Sequence, residues 1–117
     1  MGNFLGGKDV GGYGKSVSMD LETALQNHKV VMVSKSYCPY CTRAKKVLKE
    51  FNLSPEDYVV IECDNEPQIQ AKAQELSGQR TVPNTFIEGK SIGGCDDLLG
   101  LNASGKLQQR LQEAGVL

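Results

Sequence analysis

The chain has 117 residues, 39% hydrophobic and 23% charged, which suits one compact domain and leaves no room for a second with its own core. Its net charge of −1 gives no general pull toward nucleic acid or an anionic membrane, although a local basic patch stays open. No apolar run approaches the ~20 residues needed to cross a bilayer.

The opening MGNFLGGKDVGGYGKSVS reads as a flexible glycine-rich tail over residues 1–17, ahead of a domain over 18–117. It has no apolar core followed by a cleavage site, and so does not read as a secretory signal. Met1-Gly2 invites N-myristoylation, but Gly6 stands where that motif needs Ser or Thr. The expected setting is cytoplasmic.

From Met19 to His28, Leu21, Ala24 and Leu25 recur at helical spacing. KVVMVS is a short valine-rich run that reads as a buried strand. In TRAKKVLKEFN, Ala44, Val47, Leu48 and Phe51 form one apolar stripe with basic residues on the other face, the clearest helix of the chain. YVVIEC is a second buried strand. Pro67 opens a helix whose stripe is Ile69, Ala73 and Leu76 and whose end suits Gly78. NTFIEGKSIGG reads as a hairpin turning at Glu88-Gly89. Asp96 and Asp97 begin another helical stretch, and Leu107, Leu111 and Ala114 mark a final helix closed by Gly115. Two strands joined by a helix pair in parallel through a right-handed crossover, and a closing hairpin adds antiparallel strands. The expectation is an α/β fold with a central mixed sheet flanked by helices on both faces.

Between the first strand and its helix lies SYCPYC, with Cys38 and Cys41 two residues apart. Zinc would need about four ligands, but Cys63 and Cys95 are isolated and His28, the single histidine, sits at a helix end. A structural disulfide here closes too small a loop to stabilise much. Thiol–disulfide chemistry remains. Cys38 falls near a helix N-terminus, where unpaired N–H groups and the helix dipole favour a negative sulfur, and Lys35 adds positive charge. Cys41, one turn into the helix, is expected to be more buried and less acidic, as a resolving thiol. Pro39 fits the first turn because the N–H it lacks is not needed there.

SYCPYC, GQRTVPNTFI and IGGCDDL, in this order, resemble a dithiol glutaredoxin, and the resemblance runs from Met19 to Leu117. Thioredoxins typically carry Trp before the first cysteine and Gly-Pro between the pair, whereas this chain has no Trp and carries Pro39-Tyr40. The resemblance implies the thioredoxin fold with a central four-stranded mixed sheet. It implies a glutathione-dependent oxidoreductase acting on glutathione–protein mixed disulfides and protein disulfides, with no resident metal. Glutathione reductase would be an indirect partner, and the chain a monomer with no nucleic-acid or membrane partner.

The resemblance also places Thr81, Val82 and Pro83 opposite the cysteines, with a cis Val82–Pro83 bond leaving the Val82 backbone open to glutathione. Lys35, helped by Gln70 and by the charge of Arg80, would meet the glycyl carboxylate. N–H groups at Gly94, Cys95, Asp96 and Asp97 would meet the γ-glutamyl carboxylate, Asp97 the amine, and Tyr40 would cover one side of the thiol. Each residue has a plainer reading: Asp96 and Asp97 as helix caps, Gln70 and Arg80 as surface groups. Cys63 reads as inert packing, and Cys95 borders the pocket without a catalytic role. A different function, a glutathione-ligated 2Fe–2S carrier, is the alternative. Family resemblance links that role mostly to residues other than Pro at the Pro39 position.

Overall fold

A computed structural model of the chain describes Lys15, Ser16 and residues 19–117. The elements run β1 (Lys15–Ser16), α1 (Leu21–Asn27), β2 (Val30–Ser34), α2 (Pro39–Lys49), β3 (Tyr58–Glu62), α3 (Pro67–Ser77), β4 (Asn84–Ile87), β5 (Lys90–Gly93), α4 (Cys95–Ala103) and α5 (Lys106–Glu113). The sheet order is β1-β3-β2-β4-β5. β2 and β3 are parallel, with Val30 beside Tyr58 and Ser34 beside Glu62, while β4 is antiparallel to both β2 and β5.

Alternation along the strands divides the core. Val30, Met32, Tyr58 and Val60 face α2, α4 and α5, meeting Ala44, Leu48, Leu98, Leu107 and Leu111. Val31, Val33, Val59 and Ile61 face α1 and α3, meeting Leu21, Ala24, Ile69 and Ala73. The expected four-stranded mixed sheet with helices on both faces is therefore present as β3-β2-β4-β5. The hairpin turns at Glu88 and Gly89, both with positive φ, as its short loop requires.

α2 begins at Pro39 with Cys38 as its N-cap, the place the sequence gives them. Two local expectations are corrected. The four strands gain a fifth, because Lys15 and Ser16, placed in the tail, pair in parallel with Val59 and Val60; the remainder of the expected tail lies outside the described residues. Leu76 is 46% exposed, because Ser77 takes the inward position at the end of α3 and accepts a hydrogen bond from Asn84 Nδ2 at 2.8 Å. Among the described residues, no helix is long and apolar enough to cross a membrane.

Candidate active site

The site begins where β2 ends. The Cys38 N–H donates to the Lys35 carbonyl at 3.2 Å, turning the chain out of the sheet. Cys38 is the N-cap of α2 and Pro39 occupies the first helical position. The Cys38 Sγ accepts the Cys41 N–H at 3.3 Å, so the sulfur sits where a capping oxygen usually does, against the positive end of the helix. Thr42 donates its N–H and its hydroxyl to the Cys38 carbonyl at 3.1 and 3.3 Å. Cys38 is partly open to solvent, whereas Cys41 is wholly buried. Burial pushes the Cys41 thiol up to about 11, with the neighbouring Cys38 adding to the effect. The accessible sulfur is thus the one held at the helix end, and the buried one keeps its proton at neutral pH.

Asp64 braces the approach to this turn. Its carboxylate accepts the Ser36 N–H at 3.0 Å and also the Ser36 hydroxyl. Those bonds, with Lys35 nearby, hold Asp64 below the usual carboxylate range. Nothing in the local pattern marked Asp64 beyond its place directly after a strand.

Beside the cysteines lies a cleft of about 400 Å³ lined by Tyr40, Thr81, Val82, Pro83 and the first turn of α4, Gly94 to Asp97. The Val82–Pro83 peptide is cis. Among the described residues, neither the N–H nor the carbonyl of Val82 is hydrogen-bonded. In α4 the first backbone bond runs from the Leu98 N–H to the Gly94 carbonyl, leaving the N–H groups of Cys95, Asp96 and Asp97 without backbone partners. Asp97 Oδ2 accepts the Gly94 N–H at 3.0 Å, fixing the start of the helix. Gly93, at φ 101°, has no alternative here, since a Cβ would collide with the Asp97 carboxylate.

Gln79, absent from the residues the sequence marks, also lines the cleft. Its Nε2 donates to the Thr81 and Pro83 carbonyls, both at 3.1 Å, and packs against Gly94. A polar chain continues underneath. Ser91 Oγ donates to Asn84 Oδ1 at 2.7 Å and accepts the Gly93 N–H at 3.1 Å, while Asn84 Nδ2 donates to Ser77 Oγ. Fully buried Asn84 therefore ties α3, β4 and β5 together beneath the cleft.

Lys35, Gln70 and Arg80 do not line this cleft. Lys35 is next to Ser36 and acts on Asp64; Gln70 Nε2 donates to the Arg80 carbonyl at 2.9 Å, bracing the segment before Thr81. The residues expected at the site thus separate into a cleft group and a group outside the cleft lining, Lys35, Gln70 and Arg80.

The glutaredoxin family profile matches residues 30–92. Glutaredoxin-C6 of Oryza sativa subsp. japonica is 50% identical over 91 residues, covering 75% of this chain and 79% of that protein. The chain belongs to the glutaredoxin family. Glutaredoxin-C2 of Arabidopsis thaliana is 44% identical over 96 residues, covering 80% of this chain and 84% of that protein. The crystal structure of a buckwheat glutaredoxin–glutathione complex superposes with a TM-score of 0.72 at 42% identity, covering 83% of this chain and 91% of that one.

This glutaredoxin is accordingly a thiol oxidoreductase with a thioredoxin-type sheet. Its other two cysteines are buried. Cys63 packs in the α1/α3 core, and burial raises its thiol. Burial also raises Cys95, at the start of α4, where the nearby Arg43 works in the opposite direction.

Proposed function

We propose that this glutaredoxin reduces glutathione–protein mixed disulfides, and protein disulfides, with Cys38 as nucleophile and Cys41 as resolving thiol. The observation that carries the reading is one open sulfur at a helix N-cap next to a cleft with an unpaired Val82 backbone and an open helix start. Glutathione is an extended tripeptide with a carboxylate at each end. Its cysteinyl backbone would pair with the Val82 N–H and carbonyl in the manner of an added strand. Its γ-glutamyl carboxylate would meet the α4 N–H groups, and Asp97 its amine. Lys35, with Gln70 and Arg80, would face the glycyl end.

The Cys38 thiolate attacks the glutathione sulfur of the mixed disulfide. A Cys38–glutathione disulfide forms, and the protein leaves as a thiolate that takes up a proton. A second glutathione, as thiolate, attacks that disulfide at the bound glutathione sulfur, regenerating Cys38 and releasing oxidised glutathione. An NADPH-dependent reductase elsewhere returns oxidised glutathione to thiol. With a protein disulfide, the Cys38 thiolate attacks one sulfur and expels the first protein thiolate; Cys41 then loses its proton, attacks Cys38 Sγ of the mixed disulfide and expels the second, and two glutathiones reduce the Cys38–Cys41 bond and leave as oxidised glutathione. Glutaredoxins lie at roughly −200 to −230 mV, within reach of a cytosolic glutathione pool, so the proposed setting is the cytoplasm; the proposed working form is a monomer.

Mixing the reduced Cys41→Ser variant, in which the adduct cannot be resolved internally, with a glutathionylated peptide, followed by acid quench and peptide mapping by mass spectrometry, tests the reading. Glutathione is expected on Cys38, with free peptide released in equal amount. No adduct, or one confined to Cys63 or Cys95, would refute it.

A further inference from the structure

We propose that the outward face of α2, with Arg43 and Lys46 beside the exposed rings of Tyr37 and Tyr40, docks an acidic polypeptide segment next to the target cysteine of a protein substrate. This rests on the reading of the chain as an enzyme that acts on mixed disulfides of proteins.

α2 carries Arg43, Lys45, Lys46 and Lys49 with no Asp or Glu, in a chain whose net charge is −1. The cations divide by direction. Lys45 turns inward and pairs with Glu62 at 2.7 Å. Arg43 and Lys46 are exposed and, among the described residues, enter no ion pair. Lys46 in the last turn suits the helix dipole, but Arg43 lies in the N-terminal half, where a cation gains nothing from it. Helix stability therefore does not account for Arg43. It lies three residues after Tyr40 on the same helix, one turn along from a side chain that lines the cleft, which sets it at the rim of the site rather than on a remote surface.

The rim is apolar as well as charged. Tyr37 is 73% exposed and Tyr40 56%, and they flank Cys38 in the chain. Exposed tyrosines give broad contact to a polypeptide at low entropic cost, and Arg is enriched in the same settings. Across the cleft stand Asp96 and Asp97, both exposed. An incoming acidic segment is repelled on the α4 side and attracted on the α2 side, so the charges fix its direction as well as its affinity.

The test compares kcat/KM for three glutathionylated peptides whose target cysteine is flanked by Glu, Gln or Lys, with the glutathione–cysteine disulfide as a small reference. Two rim charges predict about a fivefold preference for the Glu peptide over the Gln peptide at low ionic strength, shrinking as salt shortens the screening length. The Arg43→Gln/Lys46→Gln variant is expected to abolish the preference, and Arg43→Glu/Lys46→Glu to turn it toward the Lys peptide, with the small reference changed less than about twofold in both. Equal rates on all three peptides, or a preference that survives both variants, overturns the docking face while leaving the oxidoreductase reading intact. Absence of such a preference together with binding to phosphatidylserine vesicles that the Gln variant loses makes the face a lipid surface and also overturns it. No turnover of any disulfide, small reference included, overturns the oxidoreductase reading and this one with it.

Discussion

Cys41 gives the prediction that follows most directly from the geometry. Its thiol is wholly buried and raised to about 11, so about one molecule in 10⁴ carries the thiolate at pH 7, against about one in 10² for a thiol at 9.0. A more basic thiolate attacks faster once formed; with a Brønsted coefficient of ~0.4–0.5 this recovers somewhat under tenfold of that hundredfold deficit. The internal step, Cys41 displacing glutathione from Cys38, is therefore expected to run about tenfold slower at neutrality than an ordinary thiol in that position. It should accelerate about tenfold for each pH unit from pH 7 to about 9, since the thiolate fraction does so well below the pKa. The assay mixes reduced protein with one equivalent of oxidised glutathione, quenches in acid, and follows conversion of the glutathionylated form to the Cys38–Cys41 disulfide by mass. Cys41→Ser must stop at the glutathionylated form. A rate that changes less than about threefold between pH 7 and 9 would show that burial of Cys41 does not control the step.

Gln79→Ala removes the donor to the Thr81 and Pro83 carbonyls, at a cost of about 1–2 kcal/mol. It should raise KM for glutathione several-fold more than it lowers kcat, and an unchanged KM would count against a role at the cleft. Gly93→Ala sets a side chain at φ 101° against Asp97, so a loss of at least about 1 kcal/mol, seen as a fall in Tm of about 4 °C or more, is expected; an unshifted melt would refute the strain. Burial raises Cys41, Cys63, Cys95 and Tyr58, so the folded chain keeps protons that the unfolded chain releases. Stability is then complete below about pH 9 and lost as pH climbs toward 11, by about 2 kcal/mol from Cys41 alone; a urea midpoint that stays constant over that range would contradict it.

The features legible in the sequence are those set by local pattern. The valine runs of β2 and β3, the Ala44–Val47–Leu48 stripe and the Glu88-Gly89 turn each report their burial or backbone geometry within a few residues. Cys38 and Cys41 were legible because their spacing is itself the chemistry. Gln79 and Asp64 were not, because each acts by reaching another segment: Gln79 to the carbonyls flanking Val82, Asp64 to the turn before Cys38. β1 was missed because a two-residue strand has no periodicity to read, and its pairing is defined only by β3. Leu76 misled because a helical stripe does not foresee that a polar partner, Asn84, draws Ser77 inward instead.

The proposed mechanism needs Cys38 as the attacking sulfur and leaves Cys41 dispensable for the simplest substrate. Steady-state turnover of a glutathionylated peptide, coupled to glutathione reductase and measured for the two serine variants, separates these roles most directly. Cys38→Ser is predicted to show no turnover above background and Cys41→Ser to keep most of it. Substantial turnover by Cys38→Ser, or its loss in Cys41→Ser alone, would contradict the assignment.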